Sequence, residues 1–281
     1  METASLKTIH AVHHKDFKNY NTQQIRENFL LEGIEKNDEI ELTYTHYDRM
    51  IAGIAKPVTK TLVLPTYINL KSDYFLERRE LGVFNVGGKG VVTVEGQQYS
   101  LEKYDCVYVG KGNKEVSFSS VDATAPAIFY LCSTPAHQTY PTVHIKREQS
   151  NNLQLGSTAT ANERTLSQYI HNNGIQSCQL VMGITSIKAG SVWNSVPCHT
   201  HDRRSEIYFY FDLAPEQVLF HFMGEPQETR SMVIKNNEAI LSPGWSVHFG
   251  CGTSNYSFIW AMGGENKEFP DMDPAPLVTL L

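Results

Sequence analysis

Two stretches of this chain echo each other about 125 residues apart, and that echo limits the possible folds more than any other feature. Glu77-Arg78-Arg79-Glu80-Leu81-Gly82-Val83-Phe84 answers to Asp202-Arg203-Arg204-Ser205-Glu206-Ile207-Tyr208-Phe209, and Val109-Gly110-Lys111-Gly112 falls where Ser242-Pro243-Gly244 does. Around both copies the apolar runs are short, rich in β-branched and aromatic residues, and broken by glycine-marked turns, as in a sandwich or barrel. Residues 83–86 and 91–94 are expected to form a hairpin-like pair around Gly87-Gly88-Lys89-Gly90, with Glu95-Gly96 turning the chain toward Gln97-Gln98-Tyr99. Residues 22–30 predict a short helix, since Ile25 and Phe29 share a face and Thr22 can cap it. Residues 135–175 lose the pattern and read as a linker, and the Asp- and Pro-rich tail at 270–276 reads as coil. The expectation is an all-β chain of two β-barrel domains with a few short helices: a first barrel over 1–134, the linker over 135–175, and a second barrel over 176–281.

The copies differ where chemistry is concerned. The second carries Cys198-His199-Thr200-His201-Asp202-Arg203-Arg204-Ser205-Glu206 and, further on, Pro243-Gly244-Trp245-Ser246-Val247-His248. An extended strand sends residues i and i+2 to one face, so His199 and His201 can grip one ion while Thr200 points away; a helix would set them roughly 200° apart. Ile207-Tyr208-Phe209-Tyr210-Phe211 is too aromatic for a helix, which places Glu206 where the chain enters the next strand. Three imidazoles and one carboxylate suit Zn²⁺, Fe²⁺, Mn²⁺ or Ni²⁺ and fit Ca²⁺ or Mg²⁺ poorly. His199, His201, Glu206 and His248 are therefore the expected ligands of one metal ion per chain. The first copy has no His-X-His, and Leu81 stands at the position of Glu206, so no metal is expected there.

Composition narrows the partners. A net charge of −6 without a basic block argues against a nucleic-acid surface and leaves a small molecule as the expected partner. No segment approaches about eighteen consecutive apolar residues, and residues 1–21 hold no apolar core of signal-peptide type, so neither a membrane span nor export is expected. Five cysteines, an odd number without paired spacing, read as reduced thiols in the cytoplasm.

The metal pattern resembles the two-part motif of the cupin superfamily, whose barrels are of jelly-roll type. The chain departs from it at turn positions only: Trp193 replaces the glycine usual before His-X-His, the second part reads PGxxxH for PxGxxH, and Gly252 stands where an asparagine is usual. A closer resemblance covers nearly the whole chain. Trp193-Asn194, Pro197-Cys198-His199-Thr200-His201, Arg203-Arg204, Glu206-Ile207-Tyr208-Phe209-Tyr210-Phe211, Gly224-Glu225-Pro226-Gln227-Glu228-Thr229-Arg230 and Gly264-Glu265-Asn266 look like the 5-keto-4-deoxyuronate isomerase family, as does Tyr74-Phe75-Leu76-Glu77-Arg78-Arg79-Glu80-Leu81-Gly82. The resemblance implies a bicupin, one zinc ion per chain, a hexamer, and a cytoplasmic step of pectin breakdown.

It also implies a reaction: 5-dehydro-4-deoxy-D-glucuronate becomes 3-deoxy-D-glycero-2,5-hexodiulosonate as the carbonyl moves from C1 to C2. A metal holding those oxygens would act as a Lewis acid, and a base near the working pH must move a proton between the carbons. Glu228 and His221 are the expected bases, Arg230 the expected carboxylate clamp through its two parallel donors, and Gln227 and Trp245 expected neighbours of the substrate. Arg203 and Arg204 read as structural, because the metal-free copy keeps the pair as Arg78 and Arg79. Two other classes fit the same ligands: an Fe(II) cupin dioxygenase, which oxygen consumption would reveal, and a sugar-binding bicupin without catalysis, which has no need of four spaced ligands.

Overall fold

The computed structural model describes residues 5–281. Strands dominate them, and the α-helices among them are two short ones, His14–Phe17 and Thr22–Phe29. The chain forms two compact units that do not follow the sequence in simple halves. The first comprises the residues up to Ile9, Gly33–Ser150 and Tyr169–Val181; the second comprises His10–Glu32, Asn151–Gln168 and Met182–Leu281.

In the first unit a seven-stranded sheet runs in the order Lys7–Ile9, Glu39–Thr45, Ile51–Lys56, Phe129–Pro135, Arg79–Asn85, Cys106–Val109, Val143–Ile145. A four-stranded sheet runs Leu62–Val63, Val116–Ser120, Gly90–Val94, Gln97–Leu101. Alternation along each strand gives both sheets an apolar face, and Leu81, Val83, Val92, Val94, Phe118 and Phe129 meet in one buried cluster. On the other face of its strand Glu80 is fully buried. Its carboxylate accepts the amides of Cys178, Gln179 and Leu180 at 2.7–2.8 Å and the hydroxyls of Tyr108 and Thr134 at 2.7 and 2.9 Å. Five donors replace the water that the charge gave up.

The expected hairpin over 83–94 does not form. Arg79–Asn85 lies in the larger sheet and Gly90–Val94 in the smaller, so the intervening glycines turn a corner between sheets. Asn85 holds that corner: its amide nitrogen donates to the carbonyls of Gly88 and Leu101, and its oxygen accepts from Gly87. Gly88 must be glycine there, since a Cβ would stand 1.9 Å from the Ala125 carbonyl oxygen. Glu95-Gly96, both at positive φ, do form the tight turn that pairs Val94 with Gln97.

The second unit repeats the plan. Its seven-stranded sheet runs Asn151–Leu155, Arg164–Ile170, Val181–Ile187, Ser257–Gly264, Arg204–Phe211, Glu238–Ser242, Leu30–Leu31; its four-stranded sheet runs Trp193–Asn194, Val247–Gly252, Leu219–Gly224, Arg230–Ile234. The central strands match in register: Leu81 lies between Ser133 and Val109 as Glu206 lies between Met262 and Ser242. Three local expectations are corrected. The stretch 135–175 carries three strands, Val143–Ile145, Asn151–Leu155 and Arg164–Ile170. The helix over Thr22–Phe29 is capped by Asn21, which exchanges hydrogen bonds with Gln24 in a capping box, and Thr22 is its first residue. The tail is not all coil, because Asp273–Ala275 pairs antiparallel with Cys198–Thr200.

Candidate metal centre

Strand Arg204–Phe211 is buried on both faces. Ile207, Phe209 and Phe211 take one face; Glu206, Tyr208 and Tyr210 take the other. Tyr208 meets His248 and His221 from the smaller sheet at ring-centroid distances of 5.3 and 5.9 Å. The interior that is aliphatic around Leu81 and Val83 in the first unit is thus polar in the second, where Glu206 and Tyr208 hold the matching register positions. His199 arrives on the short strand Cys198–Thr200, with His201 just beyond it, and His248 lies on Val247–Gly252.

The four ligand atoms of His199, His201, Glu206 and His248 lie within 4.8 Å of one another. The surrounding hydrogen bonds decide which imidazole nitrogen faces the centre. His201 Nδ1 donates to the Asp271 carbonyl at 2.7 Å, and His248 Nδ1 lies 3.1 Å from Ser242 Oγ and 3.3 Å from the Ser246 carbonyl. A carbonyl only accepts, so each neutral ring carries its proton on Nδ1 and turns a bare Nε2 lone pair inward. These lone pairs stand 3.2 and 3.0 Å from Glu206 Oε2, and His248 Nε2 lies 3.2 Å from His199 Nε2. Acceptors facing acceptors at such distances call for a cation between them, and the donor set fits a divalent transition metal or zinc. Burial pushes the His199 imidazole down to about 2, which keeps it neutral. Cys198 points elsewhere, its thiol toward the Ala275 carbonyl.

A cavity of about 200 Å³ opens beside the cluster, its wall including His199, His201, Glu206, Tyr208 and Trp260. The Tyr208 hydroxyl lies 2.8 Å from Ser195 Oγ on that wall. The other expected site residues lie elsewhere. Glu228 is ion-paired with Arg230 at 2.8 Å, and Arg230 also donates to the carbonyls of Lys18 and Thr229. Gln227 is exposed in the adjoining turn. Trp245 packs edge-on against Phe17 and Phe29 at 5.5 and 6.2 Å, anchoring the N-terminal helices. His221 does point inward but is fully buried, its Nδ1 2.7 Å from the Tyr210 hydroxyl. None of these five lines the cavity.

Among the wall residues that were not anticipated are Arg164, Ser195 and Tyr208. Arg164 sits in the stretch read as linker, although the alternation Arg164-Leu166 places both side chains on the cavity wall. Arg204 also reaches the wall, but its terminal nitrogens donate to the carbonyls of Asn266, Glu268, Phe269 and Asp271 and so hold the 266–271 loop, the structural role its repeat in the first copy implies.

A mostly antiparallel all-β unit holding three imidazoles and one carboxylate between its two sheets defines a cupin-like protein. The chain belongs to the KduI/IolB family, whose model matches residues 35–275. It is 52% identical over 266 residues to the 4-deoxy-L-threo-5-hexosulose-uronate ketol-isomerase of Lachnoclostridium phytofermentans, covering 95% of this chain and 96% of that one. It is 53% identical over 263 residues to the protein of the same name from Formosa agariphila, covering 94% of each. Among solved structures, an IolB-like protein from Salmonella typhimurium LT2 shares the fold at 15% identity, with a TM-score of 0.72 over 86% of this chain and 94% of that one.

Proposed function

We propose that this chain is a metal-dependent ketol-isomerase that converts 5-dehydro-4-deoxy-D-glucuronate to 3-deoxy-D-glycero-2,5-hexodiulosonate. The observation that carries the reading is half identity, over nearly the full length, to relatives of that name. The gathered tetrad supports it. Each unit is a jelly-roll barrel, and the second alone holds the metal, one zinc ion bound by His199, His201, Glu206 and His248. When bound, the ion supplies the Lewis acidity that lowers the cost of negative charge on the C1 and C2 oxygens. The protein does the rest. Asp271, Ser242 and Ser246 fix the His201 and His248 rings so that Nε2 faces the centre. Trp260, Phe258 and Met262 present an apolar wall that keeps water from the reacting carbons. Burial pushes the Tyr208 hydroxyl well above its ordinary value, so it stays protonated and, with Ser195, offers a proton to a substrate oxygen. The reading extends to a cytoplasmic hexamer serving pectin breakdown, supported by the sequence resemblance.

The zinc-loaded protein should convert the keto-uronate under nitrogen, because an aldose–ketose shift is redox-neutral; solvent deuterium entering at the carbon derived from C1 marks a path in which a base carries the proton, and turnover without it marks a hydride shift or a shielded base. Activity that requires Fe²⁺ and air would instead make it an oxygenase. Elemental analysis should give one metal per chain, and His201→Ala should lose most of it while staying folded.

A further inference from the structure

Two guanidinium groups reach the cavity beside the metal cluster, and only one of them is committed to the protein. Arg204 spends its terminal nitrogens on four backbone carbonyls. Arg164, half-buried, makes a single hydrogen bond, Nη1 to the Asn162 carbonyl at 2.9 Å, and among the described residues no carboxylate lies within ion-pair distance of it. The acid next to it in sequence, Glu163, is occupied by Lys188 and Thr158. A guanidinium taken partly out of water without an anionic partner is unfavourable, and burial lowers the pKa of Arg164 as that cost requires. The strand that carries it also sends Leu166 to the same wall, so the side chain is held by a sheet and not by a mobile loop.

We propose that Arg164 is the carboxylate-binding residue of the substrate site, taking the C6 carboxylate of a keto-uronate whose C1 and C2 oxygens lie toward the tetrad. The proposal rests on the isomerase reading for the identity of the substrate, and on the cavity wall for the residue. It assigns to Arg164 the role that the sequence suggested for Arg230. A planar guanidinium with free Nε and Nη2 offers two parallel charge-assisted donors to a carboxylate, a stronger contact than it makes with the hydroxyls of a neutral sugar. Specificity for uronates over neutral keto sugars follows from that one side chain.

The test compares the zinc-loaded wild type with Arg164→Ala and Arg164→Lys, each checked for metal content and thermal melting. Arg164→Ala should raise KM for the keto-uronate about ten- to a hundredfold with kcat changed far less, because the contact exists in ground and transition states alike. Arg164→Lys, which keeps the charge and loses the fork, should fall between, and added guanidinium should partly rescue the alanine variant. An unchanged KM in a variant with wild-type metal content and melting overturns the proposal. If the wild type turns over no keto-uronate, the isomerase reading fails, and calorimetric binding of the same compound then decides: binding lost with Arg164→Ala sustains a carboxylate site, while equal binding, or none to the wild type, overturns it.

Discussion

His221 shows how burial sets the acid sensitivity of a side chain that takes no part at the cavity wall. Burial, followed by the nearby His248, pushes its imidazole down to about 3. The unfolded chain takes up a proton near pH 6.5 that the folded chain refuses. The stability it permits is complete above that pH and erodes as pH falls toward 3, by up to about 1.4 kcal/mol per pH unit. Denaturant midpoints measured from pH 7 down to 4.5 should therefore fall less steeply for His221→Gln than for the wild type. Arg230 illustrates the opposite case. Its pair with Glu228 is more than a third exposed, so Arg230→Ala should leave KM unchanged and cost no more than about 1 kcal/mol of stability in urea unfolding. At this scale the candidate metal cluster was legible because His199, His201 and Glu206 lie close in sequence and obey strand geometry. Arg164 was not, because an arginine among Asn162, Glu163 and Thr165 looks like any solvated stretch until the opposite sheet gives it an inside.

Among the elements, those that announced themselves are the continuous aromatic and aliphatic runs buried on both faces, such as Arg204–Phe211 and Ser257–Gly264. Periodicity says that a strand exists but not which sheet it joins, and so residues 83–94 read as a hairpin where the chain turns a corner. Asp273–Ala275 has no side-chain signature at all: it is held by backbone pairing opposite His199, with Pro274 at that register position, as suits a strand at an edge. The helix Thr22–Phe29 depends on its start, and Asn21→Ala should cost about 1 kcal/mol in chemical denaturation. Glu80 ties an element of greater weight. Glu80→Gln would aim an amide nitrogen at donors already waiting for an acceptor, and it should destabilise the protein by about 2–3 kcal/mol, read from the urea midpoint.

Over the whole molecule, two units share one frame and differ in their interiors. Where the first has Leu81 and Val83, the second has Glu206 and Tyr208 at matched register, and a polar interior stands in place of an aliphatic one. Zinc bound to the folded state alone should raise the melting temperature, by an amount equivalent to about 4 kcal/mol when the free ion stands at a thousand times Kd, and the effect should vanish in His201→Ala. The interleaving of the two units has a consequence in time. Leu30–Leu31 pairs with residues 239–240, and Glu80 waits for the amides of residues 178–180. A ribosome needs on the order of ten to forty seconds to travel from the first partner of the Leu30–Leu31 pairing to the second. Until that second partner is made, Leu30 and Leu31 have no strand to pair with, and a helix as short as Thr22–Phe29 has no sheet to stabilise it. A segment made among the first is thus among the last to find its place in a sheet.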